Sequence, residues 1–158
     1  KKFKNQNIYA FDASKKAISS LRQNMFLNKI KNINYFNIGI GDKNTEMYFN
    51  EEISELKNDG SYRFTKDKKK EKIKIFKLDD IFKNKKIKLK KNIIIKIDLE
   101  GFDFLAMKGL KSTLKKSKVL IFIEISKMLL DNSSDFFKEF ALFVKKNKLN
   151  IYDLNLKN

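Results

Sequence analysis

Five carboxylates stand where they could do chemistry: Asp12, Asp98, Glu100, Asp103 and Glu124. Asp12 closes the apolar run IYAF, Asp98 and Glu100 close the stretch IIIKIDLE, and Glu124 follows KVLIFI. Histidine and cysteine are both absent. Imidazole bases, thiolate nucleophiles, disulfides and the usual zinc ligand sets are therefore excluded, and proton transfer falls to carboxylates, lysine or tyrosine. In extended backbone, side chains two positions apart share a face, so Lys96, Asp98 and Glu100 project together and Lys96 can neutralise an acid locally. Gly101 next lets the chain turn sharply and approach a ligand closely. The Asp98, Glu100, Asp103 cluster could hold Mg²⁺ through oxygen ligands, but nothing in the spacing demands it and no metal is expected.

These acids need elements to carry them. NIYAFD (7–12) has the apolar run and polar bounds of a buried parallel strand. Ser14 supplies an N-cap, and Ala17, Ile18, Leu21 and Met25 recur at helical spacing on one face. NINYFNIGIGD (32–42) reads as a second strand with a glycine-marked turn, completing a right-handed βαβ unit. EMYFN is a possible strand, and TKDKKKEK reads as a solvated loop. KIKIFKLDDIF (72–82) starts as an alternating strand, after which Asp79 or Asp80 caps a brief helix. After the opening stretch at 93–101, Phe104, Met107, Leu110 and Leu114 mark an amphipathic helix. KVLIFIEI (118–125) is another buried strand. A helix over 134–147 turns Phe137, Phe140, Ala141 and Val144 inward before a last strand, NIYDLNL. Strands alternating with helices predict an α/β fold with a largely parallel sheet, and in such sheets ligands bind at the carboxyl ends of strands. Asp12, Asp98 and Glu124 all fall there. A turn-forming or capping role competes with function at each, most strongly at Glu124.

A chain of 158 residues buries roughly 68–70% of its unfolded surface, so one domain spanning 1–158 is expected. Hydrophobic residues at 42% and aromatics at 13% set it apart from disordered chains. The net charge of +17 would draw a basic domain toward nucleic acid, anionic lipid or acidic glycans. Yet Arg22 and Arg63 are the only arginines, and phosphate and base recognition leans on the guanidinium fork. Lysine, asparagine, isoleucine and phenylalanine are over-used together, as an A/T-rich genome produces without selection for a partner. No apolar run approaches the ~18 residues of a membrane span and no signal peptide opens the chain, so a cytoplasmic protein is expected.

KIDLEGFDFLAMKGL resembles the signature of FkbM-type S-adenosylmethionine-dependent methyltransferases: lysine, hydrophobic, aspartate, hydrophobic, Glu-Gly, then a Leu-Lys-Gly-like element. IYAFDASKKAISSLRQNMFLNKIKNI is similar to that family's acid-terminated strand and following helix, with Leu21, Asn24 and Asn28. NYFNIGIGD is similar to its next strand and turn, FKLDDIF to the segment before the signature, and VLIFIEI to the strand after it. The resemblance covers residues 7–125 in order. It implies a Rossmann-like methyltransferase sheet, strand order 3-2-1-4-5-7-6, and transfer of a methyl group from S-adenosylmethionine to a hydroxyl of a sugar, glycan or secondary metabolite. Carried over by position, Asp12 accepts the cofactor ribose hydroxyls, as one carboxylate suits two vicinal hydroxyls. Ile38 and Gly39, with Asp42 nearby, fall where the adenine edge is read. Asp98 sits where the methionine end meets the acceptor, making it the first candidate for general base, with Glu100 and Asp103 behind it.

One element of that pattern is missing. A strand and a glycine-rich loop should precede the acid-terminated strand, and no glycine occurs before Gly39. The sheet is therefore expected to be incomplete, the domain partial and the chain a fragment. The strands at 7–12 and 93–98 then lose the neighbour that should lie between them, leaving backbone groups without partners. Two rivals remain. A nucleic-acid methyltransferase would use the same scaffold, but the amino-methylating kind needs a proline-rich strand end and base C5 methylation needs cysteine; the chain has neither proline nor cysteine, which leaves an RNA ribose hydroxyl. The other rival is a non-catalytic basic fragment that holds polyanions. The residues fix neither the acceptor nor the oligomeric state.

Overall fold

The computed structural model describes residues 6–50, 63–65, 68–99, 101–124 and 134–152. The chain divides into two compact units, Lys1–Lys77 and Leu78–Asn158. The first carries β1 (Ile8–Asp12), α1 (Lys15–Leu27), β2 (Ile33–Asn37), β3 (Gly39–Ile40), β4 (Thr45–Asn50), β5 (Arg63–Thr65) and β6 (Glu71–Phe76). The second carries α2 (Leu78–Asn84), β7 (Asn92–Ile97), α3 (Asp103–Lys108), α4 (Lys111–Lys116), β8 (Lys118–Ile123) and α5 (Ser134–Lys146). The mixed α/β class expected from the alternation is present.

In the first unit, β1 and β2 pair in parallel from Ile8↔Ile33 to Asp12↔Asn37, with Phe11 stacked on Phe36 at 5.2 Å between ring centroids. Helix α1 is the crossover between them. Ser14 caps it as expected, its hydroxyl accepting from Ala17 N at 2.9 Å, and Ile18 is the buried residue on its inner face. The single strand expected over 32–42 breaks at Ile38. β2 stays with β1, whereas β3 joins a second sheet of order β3-β6-β4-β5. There β3 runs parallel to β6, while β4 runs antiparallel to both β5 and β6, so the pairing is mixed rather than largely parallel. The alternation along β6 explains its place: Ile73 and Ile75 are buried and Lys72 and Lys74 exposed, the period of a strand with one wet face.

In the second unit, β7 and β8 pair in parallel through Ile97↔Ile123. Ile97 is buried, whereas Ile94, Leu120 and Phe122 stay exposed on the opposite face. Among the described residues β1 pairs with β2 alone and β7 with β8 alone. The helix expected after Gly101 is interrupted at Gly109 and Leu110, giving α3 and α4, although Phe104, Met107 and Leu110 are buried as their spacing suggests. Helix α5 forms where expected but shows a different face. Phe140 and Phe143 are buried, whereas Phe137 is 50% exposed and Ala141 is exposed. The reason is Phe104, whose ring meets Phe136, Phe140 and Phe143 edge-on at 5.5, 5.4 and 5.5 Å; aromatic pairs favour that geometry. The last expected strand is not seen at 150–152, which are irregular, and 153–156 lie outside the described residues.

Asp79 does cap a helix, but not its own. From the first turn of α2, its carboxylate accepts from Ser112 N at 2.6 Å, Thr113 N at 3.0 Å and Thr113 Oγ1 at 2.6 Å. It thus satisfies the open amides at the start of α4 and ties α2 to α4. Asp79→Ala should lower unfolding stability by about 1–2 kcal/mol, measured by urea titration; an unchanged midpoint would show that the tie is not energetic.

Candidate active site

β1 ends in a turn that is bonded from both sides. Asp12 Oδ1 accepts from Ser14 N at 2.8 Å, and Ser14 in turn caps α1. Asn37, the register partner of Asp12 on β2, donates through Nδ2 to Asp12 O at 3.0 Å and Ala13 O at 2.8 Å. The carboxylate therefore stands at the carboxyl end of a parallel strand, half-buried, in a fixed orientation. Asn37 was missed in the sequence. Its one signal is its place at the end of a strand that runs beside β1.

Ile38 links β2 to β3, half-buried. Gly39 is buried with its backbone in the β3–β6 ladder, and Asp42 follows, half-buried, in the turn after β3. The glycine with a packing reason is Gly41: a Cβ there would come within 2.9 Å of Ile75 Cγ2, and its amide donates to Phe76 O at 3.1 Å. Asp12, Ile38, Gly39 and Asp42 thus belong to one unit and Asp98 to the other.

Asp98 lies just past β7, and the parallel register with β8 puts Glu124 at the same strand end. Lys96 Nζ donates to the Asp98 carboxylate at 2.8 Å, as the shared face of alternate residues requires. That bond and the charge of Asp98 raise the Lys96 ammonium above its ordinary value of 10.5, and the charge of Glu124 adds to the rise. Glu100 lies outside the described residues. Asp103 is buried and acts on the backbone: Oδ1 accepts from Leu99 N and Oδ2 from Gly101 N, both at 3.0 Å. With both oxygens so bonded, it positions the turn that follows β7. Gly101 adopts φ +98°, a backbone region that favours glycine. Strand, clamp and glycine together hold Asp98 outward at the strand end. Among the described residues no group of three or more acidic, histidine or cysteine side chains could hold a metal ion, and no helix is long and apolar enough to cross a membrane.

A family model described as the methyltransferase FkbM domain matches residues 2–149. The chain belongs to the FkbM methyltransferase family. The FkbM match takes in both units and all the acids named above, and it extends past the 7–125 span over which the motifs were readable. No curated protein and no solved structure gives a significant match.

Two outcomes check this geometry of the FkbM domain. Asp103→Ala should cost about 2–3 kcal/mol, because two amides lose a charged acceptor, and should speed hydrogen exchange at Leu99 and Gly101; Asp103→Asn, with one acceptor oxygen, should fall between. Equal exchange in all three proteins would contradict the clamp. Because Lys96 is raised in the folded state, its pairing is fully present below the unfolded value and is lost as pH rises through the folded one. NMR titration of the Lys96 side chain should therefore give a midpoint above 10.5 that drops in Asp98→Asn. A midpoint unmoved by that substitution would count against the pair.

Proposed function

We propose that this FkbM domain is an S-adenosylmethionine-dependent O-methyltransferase acting on a hydroxyl of a sugar, glycan or secondary metabolite, in the cytoplasm. The observation that carries the reading is the family match over residues 2–149, joined to two acids at the carboxyl ends of parallel strands. The cofactor, when bound, supplies an electrophilic methyl group on a sulfonium. The residues fit its nucleoside end. A carboxylate held in place by Ser14 suits vicinal ribose hydroxyls, and Ile38 offers an apolar contact for a base, with Gly39 and Asp42 beside it. At the other end, Asp98 accepts the proton of the acceptor hydroxyl as its oxygen becomes the nucleophile, while Lys96 holds the carboxylate in place. Glu100 is a second candidate for that proton.

Transfer of a labelled methyl group to sugar hydroxyls by the protein in its full reading frame is the test. Asp98→Asn should lower kcat by about 10²–10⁴-fold, the usual contribution of a general base, with little change in KM for the acceptor. Asp12→Ala should instead weaken cofactor binding. Full activity in Asp98→Asn would remove Asp98 from the chemistry, and methylation of RNA ribose in preference to sugars would move the substrate class.

A further inference from the structure

Helix α1 closes in a way that displays its last apolar residues to solvent. Lys29 N donates to Phe26 O at 3.2 Å and Ile30 N donates to Met25 O at 2.8 Å, with Lys29 at φ +54°; this pair of bonds is the Schellman closure. Asn28 Nδ2 adds a bond to Asn24 O at 2.8 Å. The turn is thus well tied, yet Phe26 is 84% and Leu27 73% exposed, with Ile30 at 40% beside them. Phe26 and Leu27 border a shallow hollow with Ser19, Arg22 and Gln23, and Arg22 lies 6.0 Å over the Tyr35 ring.

Arg22, Lys29 and Lys31 lie nearest this turn along the chain, and residues 13–41 contain not one acid; at the far end of α1, Lys15 is paired with Glu71 of β6. Lysines near a helix C-terminus suit its dipole, which accounts for their position but not for two large apolar side chains held out between them. A polyanion such as nucleic acid would satisfy the charges, and a phenylalanine could stack on a base; an adjacent leucine cannot. A bilayer with anionic headgroups takes both, burying apolar tips at the acyl boundary while basic side chains meet the phosphates.

We propose that the C-terminal turn of α1, Phe26 and Leu27 flanked by Arg22, Lys29 and Lys31, is a peripheral docking surface for anionic phospholipid. Phe26 and Leu27 enter the headgroup boundary, and no part of the chain needs to span it. The surface brings a methyltransferase to lipid-borne or membrane-proximal acceptors, and it stands or falls independently of the reading of the acids.

The chain has no tryptophan, so Phe26→Trp places a single reporter at an exposed position. With vesicles of phosphatidylglycerol in phosphatidylcholine, its emission should shift to shorter wavelength and be quenched by acyl chains carrying a spin label. Pure phosphatidylcholine vesicles and heparin should leave it unshifted. The double variant Phe26→Ser, Leu27→Ser keeps every charge and should weaken cosedimentation with the anionic vesicles by at least about tenfold while leaving heparin retention unchanged. Cosedimentation without an emission shift, an equal shift with heparin, or a double variant that binds vesicles like the native chain would each overturn the proposal.

Discussion

Parallel pairing is the constraint on which the site depends. Two strands that run the same way bring their carboxyl ends to one edge, and whatever follows each strand must meet there. β1 beside β2 places Asp12 next to Asn37; β7 beside β8 places Asp98 next to Glu124. Antiparallel pairing of the same segments would send the members of each couple to opposite edges. The polar groups at these ends therefore follow from strand direction before any side-chain contact is considered, and the contacts then fix them: Ser14 and Asn37 at the first end, Lys96 and Asp103 at the second.

The two ends differ in how they are held. At β1 the acid itself takes part in the turn, its carboxylate accepting from Ser14 N. At β7 the labour is divided. Asp103 spends its buried carboxylate on the turn, and Asp98 is exposed, with the flexible Lys96 as its partner among the described residues. The lysine at β7 can move without unfolding the backbone, whereas the Asp103 bonds cannot break without opening the turn.

Much of this was legible in the sequence because it is local. The cap at Ser14, the face shared by Lys96 and Asp98, the glycine after Glu100 and the alternation in β6 each follow from spacing within a few residues. What escaped was tertiary. FF at 136–137 offers two possible inner faces for one helix, and only the position of Phe104 decides between them. Asp79 looks like a cap for the helix it begins, and its oxygens instead reach amides more than thirty residues on. The break at Ile38 arises because Gly39 and Ile40 find a partner in β6, a strand that the sequence around 38 does not contain. The family itself was readable from the order of short motifs, since each carries a local physical demand: an acid at a strand end, a glycine at a left-handed turn.

The central claim is that β7 and β8 run parallel and bring Asp98 and Glu124 to one strand end, and a distance decides it. The chain lacks cysteine, so Asp98→Cys together with Glu124→Cys gives two unique attachment points for spin labels. Neighbouring strands lie about 5 Å apart, so the doubly labelled protein should show strong dipolar broadening in its continuous-wave spectrum. A spectrum equal to the sum of the two singly labelled proteins would contradict the account.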